Sequence, residues 1–399
     1  MKAVELRADW NPVKDYMPTF GDVEGKKTYL SSKVWSNPSV SVVERPVPKI
    51  GPNEVLLKIQ ACGICGTDVH LLQTKDDGHM MYPGLTAFPC ILGHELSGTV
   101  VEAGANAINK RTRKQYETGD LVCSEEMVWC GRCQPCADGY PNHCEALEEL
   151  GITVNGAFAE YIKVDAKLCW DLRDLVKVYG KEKASLLGSL VEPTCVAHNA
   201  VIERGGGIRP GDNVWILGSG PVGLAACAIL KRAGAKHVIM SEPSKQRREM
   251  AQKLGATEVL DPASGSMAEQ VLDITDGYGA NLILEATGLP EVVWADIENV
   301  IWNGRTLNTT VVIVARADTR IPLNGEVFQV RRAQIVGSQG HSGHGTFPRV
   351  ISMMAAGMDM TTIVTETVSL DKIPGHIRTL QTDRANCKIS YVASKGLGS

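Results

Sequence analysis

A glycine-rich turn between an apolar strand and a helix constrains the fold of this chain more than any other feature. The stretch NVWILGSGPVGLAACAIL runs from a strand pattern into Gly218, Gly220 and Gly223, and a helix pattern begins immediately afterwards. In such a turn the first glycine permits the tight bend, the second lets backbone approach a pyrophosphate, and the third lets helix pack close to strand. The next strand, HVIMSE, ends in Glu242, about where an acid binds the ribose hydroxyls of a dinucleotide.

This region predicts a dinucleotide site and indicates which dinucleotide it takes. A carboxylate at Glu242 would repel a 2′-phosphate, which favours NAD over NADP, whereas Arg247 and Arg248 lie close by and weaken that preference. The alternative interpretation is an ordinary strand-to-helix turn, since glycine-rich turns are common. The predicted cofactor-binding residues are Gly218, Gly220, Pro221, Val222, Gly223, Glu242 and Arg247.

The chain as a whole shows two patterns, which suit two domains in 399 residues. After about residue 200, apolar strands alternate with longer amphipathic stretches, which predicts a parallel sheet. The first half has short strand-like runs such as EVLLKIQ and no evident helix period, which predicts an irregular β-rich domain. The predicted boundaries give residues 1–200 to the first domain and 201–340 to the nucleotide-binding domain, with 341–399 returning to the first.

Composition narrows the class of partner. The formal net charge of -4 gives no electrostatic reason to expect a nucleic acid or an anionic membrane, so a small-molecule ligand fits better. No apolar run approaches the length of a membrane span, and the N-terminal stretch lacks the apolar core of a signal peptide. The sequence therefore predicts a cytoplasmic protein.

Four of the twelve cysteines cluster in the stretch CGRCQPCADGYPNHC, at Cys130, Cys133, Cys136 and Cys144. Four closely spaced thiolates suit one closed, tetrahedral zinc that organises a loop without taking part in chemistry. An iron–sulfur cluster and free thiols are the competing interpretations. The predicted nucleotide-binding domain has no visible electron acceptor beside it, which disfavours an iron–sulfur cluster.

A second cysteine motif, CGICGTDVH at residues 62–70, could chelate a metal, exchange disulfides or simply form a turn. Because the four-cysteine stretch already supplies one complete zinc site, this motif is not its missing half. A catalytic zinc needs a few protein ligands and an open position. Cys65, His94 and a carboxylate would supply them, with Glu95 and Glu192 as the candidates.

Together these residues resemble the zinc-dependent medium-chain dehydrogenases, and the resemblance covers nearly the whole chain. It implies a GroES-like, irregular β-rich catalytic domain plus a Rossmann domain with a doubly wound parallel sheet, an α/β fold. In this family only the second cysteine of the motif binds the catalytic zinc, so Cys65 takes that role and Cys62 becomes a turn or packing residue. The four-cysteine stretch resembles the family's structural zinc site, which implies two zinc ions per chain.

The resemblance also implies roles for four neighbours of the catalytic zinc. Thr67 accepts the proton of the substrate hydroxyl, and His70 passes it towards solvent. Asp68 supports the zinc site without binding the metal, and Glu95 either ligates the metal or stands just behind it. These assignments make the chain an enzyme that transfers hydride from a secondary hydroxyl to NAD.

Glu192 narrows the substrate class. Where alcohol dehydrogenases of the family have a third zinc-binding cysteine, this chain resembles the polyol and threonine dehydrogenases, which have a glutamate in V-E-P. This favours a polyol or an inosose-like cyclitol of inositol catabolism over a simple alcohol. Many sorbitol dehydrogenases have an Arg-Tyr pair before T-[WFY]-P, whereas HSGHG precedes Thr346, Phe347 and Pro348 here, which argues against linear sorbitol.

Three alternatives stay open. The first is an NADPH-dependent carbonyl reductase of the same fold, and the second is a dehydrogenase of the threonine or butanediol type. The third is not an enzyme but a zinc-stabilised nucleotide sensor. The family tendency implies a homodimer or homotetramer.

Overall fold

The computed structural model describes residues 1–396, apart from residues 318, 342 and 384. Its internal contacts divide the chain into two units, one comprising Met1–Glu192 and the chain from Phe347 onward, the other Pro193–Thr346. The boundaries expected from the sequence, after residues 200 and 340, stand close to these two divisions along the chain.

The first unit is built on sheets of short strands, formed where apolar and polar residues alternate. Along EVLLKIQACG, for example, Leu57, Ile59 and Ala61 are buried, whereas Lys58 between them is exposed and Gln60 is half-buried. The strands that precede the second unit are β1 (Lys2–Trp10), β2 (Lys27–Thr28), β3 (Trp35–Glu44), β4 (Glu54–Gly63), β5 (Thr86–Ala87), β6 (Cys90–Ile91), β7 (Glu95–Ala103), β8 (Leu121–Ser124), β9 (Met127–Val128), β10 (Glu148–Glu149), β11 (Tyr161–Asp165) and β12 (Cys169–Asp171). The main sheet runs β12-β8-β7-β4, with β11 also paired to β4, and a smaller sheet runs β3-β1-β6.

The first half of the chain contains one long helix, Arg173–Ser189, although its sequence shows no evident helix period. The helices here are α1 (Phe20–Gly25), α2 (Ser31–Val34), α3 (Gly66–His70), α4 (Gln134–Ala137), α5 (Arg173–Ser189) and α6 (Val191–His198). Within α5, Gly180 has φ 76° and ψ 166°, which interrupts the helix. Leu175 before the break and Leu187 after it are both buried, but the break prevents them from sharing one continuous 3.6-residue period.

Two segments of the first unit, residues 10–35 and 73–89, pack against each other. Strand β2 of the first segment pairs antiparallel with β5 of the second. The ring of Trp35 also joins them, with its centroid 4.9 Å from that of Trp10 and 5.2 Å from that of Phe88. The two segments therefore form one local substructure rather than two independent loops.

The second unit is a six-stranded parallel sheet with helical connections. Its strands are β13 (Asn213–Leu217), β14 (His237–Ser241), β15 (Glu258–Leu260), β16 (Leu282–Glu285), β17 (Thr310–Ile313) and β18 (Gln334–Gly337), and its helices are α7 (Pro221–Arg232), α8 (Lys245–Leu254), α9 (Met267–Ile274), α10 (Pro290–Asn303) and α11 (Gly325–Arg331), with a π-helical segment at Asn199–Arg204. The strand order β15-β14-β13-β16-β17-β18, with every neighbouring pair parallel, is the Rossmann order. The fold class predicted from the sequence is confirmed for this unit.

The chain then completes the first unit with α12 (Thr346–Ala355), β19 (Val364–Val368), α13 (Ile373–Thr379) and β20 (Lys388–Val392). Strand β20 pairs antiparallel with β4 and parallel with β19, so it extends the main sheet on the side of β4 opposite to β7. Short 3-10 turns lie at Pro141–His143, Ala166–Leu168, Pro262–Ser264, Met360–Ile363, Leu370–Lys372 and Ala393–Gly396. In the described part of the chain, no helix has both the length and the apolar character needed to cross a lipid bilayer.

The glycine-rich turn after β13 has the close packing that its sequence predicts. Gly218 has φ +96°, in the left-handed region that favours glycine. A Cβ atom at Gly223 would lie only 2.0 Å from the carbonyl oxygen of Gly218, so a side chain there would collide with backbone. The absence of a side chain at this position is therefore what lets α7 begin directly above the strand.

Replacing Gly223 with alanine should displace this turn. We therefore expect NADH binding, measured by fluorescence titration, to weaken by about tenfold or more, which corresponds to a loss of about 1.4 kcal/mol in binding free energy. Gly325→Ala is a matched control, since a Cβ atom there meets nothing within 4 Å. Equal NADH affinity in the two variants would contradict the packing role of Gly223.

Candidate metal centres and nucleotide site

The motif Cys-Gly-Thr-Asp places Cys65 at a fixed point of the first unit, where β4 gives way to a short helix. Cys65 precedes α3, and the Oδ2 atom of Asp68 accepts a hydrogen bond of 2.9 Å from the Cys65 backbone N–H. This contact resembles a capping box, in which a side chain in the first turn satisfies a backbone donor at the helix start. The thiol of Cys65 remains half-buried at this turn.

Three of the predicted ligands come together beside this turn. His94 lies just before β7, Glu95 begins that strand, and both are buried. The ligand atoms of Cys65, His94 and Glu95 all lie within 4.8 Å of one another. A thiolate, an imidazole and a carboxylate at this spacing form a donor set that suits zinc.

The charges around His94 support a cation at this position. Burial alone would lower the pKa of His94, but the negative charges of Cys65, Asp68 and Glu192 raise it well above its usual value. Asp68 is fully buried, and that burial raises its own pKa. The His94 Nδ1 and Asp68 Oδ1 atoms are buried without a hydrogen-bond partner among the described residues. The site therefore holds more negative charge than its protein neighbours balance, and a divalent metal fits it.

Glu95 has a partner that the sequence analysis missed. The Nζ atom of Lys388 lies 2.6 Å from each of the two Glu95 carboxylate oxygens and 2.8 Å from the carbonyl oxygen of Ile64. Both charged side chains are only 1% exposed. The only signal in the sequence is a lysine within the strand-like stretch KISYV. Its partner is 293 residues away, so no local pattern identifies the pair.

The other candidate residues of the catalytic centre differ in how far their side chains are buried. Glu192 is buried in the first turn of α6, close enough for its charge to affect His94. Thr67 is half-buried within α3, and His70 is exposed at its last position. Because they are three residues apart, Thr67 and His70 lie on the same side of the helix. The Nδ1 atom of His70 is 2.8 Å from the Oε1 atom of Gln73.

The four cysteines form a second cluster, with all four sulfur atoms within 4.8 Å of one another. The Cys130 backbone N–H donates to the Cys144 sulfur at 3.2 Å, and the Arg132 N–H donates to the Cys130 sulfur at 3.4 Å. Hydrogen bonds from the backbone N–H groups of Arg132 and Cys133 lower the pKa of Cys130 to about 6. Thiolate character at Cys130 is what binding of zinc by such a cluster requires.

The nucleotide loop of the second unit is tied directly to Glu242. The Ser219 N–H donates to one Glu242 oxygen at 2.8 Å, and the Ser244 N–H donates to the other at 2.9 Å. Arg248 has partners other than the Glu242 carboxylate. Its guanidinium donates to the Glu242 backbone carbonyl and pairs with Asp261 at 2.9 Å.

The other predicted cofactor residues surround the start of the two helices that follow. Gly220 immediately precedes α7, and Pro221 and Val222 form its half-buried first turn. Arg247 lies in the first turn of α8, where its N–H donates to the Ser244 hydroxyl at 3.5 Å. The helix N-terminus, the open loop and the acid after β14 form the cradle expected for a dinucleotide.

Comparison with known proteins agrees with both units. Residues 51–174 match the family model described as alcohol dehydrogenase GroES-like domain, and residues 221–356 match the one described as zinc-binding dehydrogenase. Scyllo-inosose 3-dehydrogenase of Thermotoga maritima is 62% identical over 393 residues, which cover 98% of this chain and 100% of that protein. An L-threonine 3-dehydrogenase of Caldanaerobacter subterraneus is 33% identical, over 85% of this chain and 91% of that protein.

Solved structures agree as well. The structure of a putative alcohol dehydrogenase from Thermotoga maritima superposes with a TM-score of 0.96 at 62% identity, covering 98% of this chain and 99% of that one. A zinc-binding dehydrogenase from Sinorhizobium meliloti, bound to NADP, gives a TM-score of 0.76 at 28% identity, covering 90% and 96%. With a GroES-like unit, a Rossmann unit and these relatives, the chain belongs to the zinc-binding, medium-chain alcohol dehydrogenase family, whose members are oxidoreductases that act on small molecules with a nicotinamide cofactor.

Proposed function

We propose that this enzyme oxidises a secondary hydroxyl of a cyclitol, with scyllo-inosose as the leading substrate and NAD as the hydride acceptor. The observation that carries the proposal is the 62% identity with a scyllo-inosose 3-dehydrogenase over nearly the full length of both chains. Glu192 supports it, because a carboxylate takes the place of the third zinc-binding cysteine of simple alcohol dehydrogenases.

Cys65 and His94, with a carboxylate from Glu95 or Glu192, would hold the catalytic zinc. When bound, zinc would lower the pKa of a substrate hydroxyl, and the nicotinamide would accept the hydride. Carboxylate is a harder ligand than thiolate, and it permits a more expandable coordination sphere. Such a site would let two neighbouring oxygens of a polyhydroxylated ring approach together and orient the ring.

The proton of the substrate hydroxyl would leave through α3. Thr67 is half-buried and would accept this proton from the substrate side, and His70, exposed at the end of the same helix, would pass it to solvent. An imidazole suits this task because its ordinary pKa lies near neutrality. The contact with Gln73 would keep the His70 ring oriented.

We propose a homodimer or homotetramer that works in the cytoplasm. Strand β18 ends the sheet of the second unit, and Ile335 on it is exposed, as is Val330 on the preceding helix. An exposed edge with apolar residues is an edge that a second copy could cover. All twelve cysteines are free of disulfides, which suits a reducing compartment.

The substrate proposal is tested by following NADH formation with a panel of substrates. We expect kcat/KM for scyllo-inosose or a related cyclitol to exceed that for ethanol by at least about a hundredfold, because missing polar partners cost a specific site far more than missing methylenes. Sorbitol, threonine and 2,3-butanediol complete the panel. A clear preference for threonine or butanediol would overturn the cyclitol assignment, and oxidation only with NADP would overturn the cofactor assignment.

Metal analysis should find two zinc ions per chain, because the two clusters draw on separate residues. Cys133→Ser should lose one of them and lower the melting temperature, since the four-cysteine site would be structural. Cys227→Ala removes a buried thiol outside both clusters and serves as the matched control. A stable Cys133 variant that retains both zinc ions would show that this thiol is not a ligand.

Glu242→Ser should weaken the preference for NAD over NADP. The change removes a like charge that would face a 2′-phosphate, and we expect the ratio of the two dissociation constants to shift by on the order of tenfold, about 1.4 kcal/mol. Glu249→Ser, which removes an exposed carboxylate on the helix after Glu242, is the control. An unchanged ratio in the Glu242 variant would remove this residue from cofactor choice.

A further inference from the structure

Glu285, the last residue of β16, is a fully buried carboxylate that holds the turn following this strand. Its Oε1 atom accepts hydrogen bonds from the backbone N–H groups of Thr287 at 2.7 Å and Gly288 at 3.1 Å. The Thr287 hydroxyl donates to the same oxygen. A side chain that bonds its own backbone two and three residues on replaces the contacts of a regular strand end. Three donors on one oxygen therefore fix the turn, and with it the direction of the Thr287 hydroxyl.

This turn packs directly against the glycine-rich turn of the second unit. Glu285 is paired with Leu217, the last residue of β13, and the Ala286 N–H donates to the Leu217 carbonyl at 3.0 Å. A Cβ atom at Gly218 would lie 2.9 Å from the carbonyl oxygen of Ala286 and 3.3 Å from the Thr287 Cγ2 atom. The two turns are therefore neighbours at the carboxyl edge of the parallel sheet.

The strand order indicates which half of a dinucleotide faces the turn after β16. The chain continues from β13 to β14 and β15 on one side, whereas β16, β17 and β18 lie on the other, so the order reverses between β13 and β16. Dinucleotides bind across the crevice at such a point, with one mononucleotide over each half of the sheet. Glu242 follows β14 and is the acid expected beside the adenosine ribose. The β16 side is therefore left for the nicotinamide half.

The Thr287 hydroxyl is arranged to accept a hydrogen bond on this side. A threonine hydroxyl has one proton to donate and two acceptor lone pairs. Its proton is directed at Glu285, and the Leu289 N–H donates to its oxygen at 2.9 Å. Counting the partners given by the described residues, one acceptor position remains on a side chain that is only half-buried. The hydroxyl therefore suits a ligand group that carries a proton.

Two other polar atoms at the same edge point to a ligand independently. Glu285 Oε2 and Ser219 Oγ are buried and have no hydrogen-bond partner in the described part of the chain. Ser219 belongs to the glycine-rich turn and is 0% exposed. Buried polar atoms rarely lack a partner, and each exception calls for an explanation. A crevice edge prepared for a polar ligand supplies one for both atoms.

We propose that Thr287 binds the nicotinamide half of the cofactor through its hydroxyl oxygen, and that Glu285 is the positioning residue that makes this hydroxyl an acceptor. The group that donates to it is a hydroxyl of the nicotinamide ribose or the NH2 of the carboxamide. This inference rests on the proposed use of NAD. It does not depend on which substrate is oxidised.

The test compares the binding of NADH and ADP by isothermal titration calorimetry, without any measurement of turnover. Thr287→Val keeps the shape of the side chain and removes the hydroxyl, so NADH should bind about tenfold more weakly, the loss expected for one hydrogen bond. ADP lacks the nicotinamide half and should bind as it does to the unmodified enzyme. Thr287→Ser keeps the hydroxyl and should restore the NADH affinity.

Thr309→Val is the matched control, because the Thr309 hydroxyl donates to the Ala280 carbonyl at 2.8 Å next to the start of β17, away from the carboxyl edge. Its NADH affinity should be unchanged. Unchanged NADH affinity in Thr287→Val would overturn the proposal. Equal weakening of NADH and ADP would also overturn it, because the hydroxyl would then serve only the shape of the turn.

ADP-ribose identifies the donor group on the cofactor. It carries the second ribose but no carboxamide. If Thr287→Val weakens ADP-ribose as much as NADH, a ribose hydroxyl is the donor, and if ADP-ribose binds unchanged, the carboxamide NH2 is the donor. Both results support an acceptor at Thr287.

A double variant tests the role of Glu285. Glu285→Gln should weaken NADH but not ADP, and adding it to Thr287→Val should cause little further loss, because both changes act through one hydroxyl. Additive losses would show that Glu285 acts by another route and would overturn its positioning role. If Glu285→Gln folds too poorly for titration, Glu285→Asp replaces it, since it keeps the charge but shortens the reach to Thr287.

Failure of the proposed cofactor looks different from failure of this inference. Unmodified enzyme that binds neither NADH nor ADP would remove the dinucleotide site itself. Unmodified enzyme that binds NADPH in preference to NADH would overturn the choice of NAD, and the comparison of the Thr287 variants would then be made with NADPH.

Discussion

Burial of negative charge in the first unit is the constraint on which the rest of the site depends. Cys65, Asp68, His94 and Glu95 converge at the junction of β4, α3 and β7, and three of these four side chains can carry negative charge. Buried charges must be paired, because transfer from water is costly. Lys388 balances one side of the cluster, and a divalent metal fits the other. Cys65 and His94 lie beside the ends of β4 and β7, and Glu95 and Lys388 lie on strands of the main sheet, so metal binding and the integrity of that sheet are linked.

The second unit depends on backbone geometry more than on charge. Gly223 lies so close to the carbonyl oxygen of Gly218 that no side chain fits between them. This contact directs the N-terminus of α7 at the loop. Glu242 adds an electrostatic constraint, since its two oxygens are already bound to the N–H groups of Ser219 and Ser244. The acid that is proposed to select the cofactor therefore also holds the loop that would bind it. A substitution at Glu242 would be felt both by the ribose and by the turn.

The fold class could be predicted, and most candidate site residues could be proposed, because both depend on local patterns in the sequence. The glycine spacing before α7, the cysteine spacing at residues 130–144 and the alternation of strands and helices after residue 200 each reflect contacts between residues close in sequence. Helix α5 was missed because Gly180 breaks its period. The pairing of β2 with β5 was also missed, since two-residue strands leave no periodic signal.

The sequence by itself determined the two zinc-ligand motifs, the dinucleotide turn and the resemblance to zinc-dependent dehydrogenases, all of which rest on residues at short, fixed spacings. Only the tertiary structure decided what faces Glu95. Lys388 is brought to it by a return of the chain to the main sheet, across a central strand that carries glycine at the point of contact. Such a pair leaves no local pattern, because the order of strands in a sheet is set by packing of the whole unit and not by the residues on either side of the lysine.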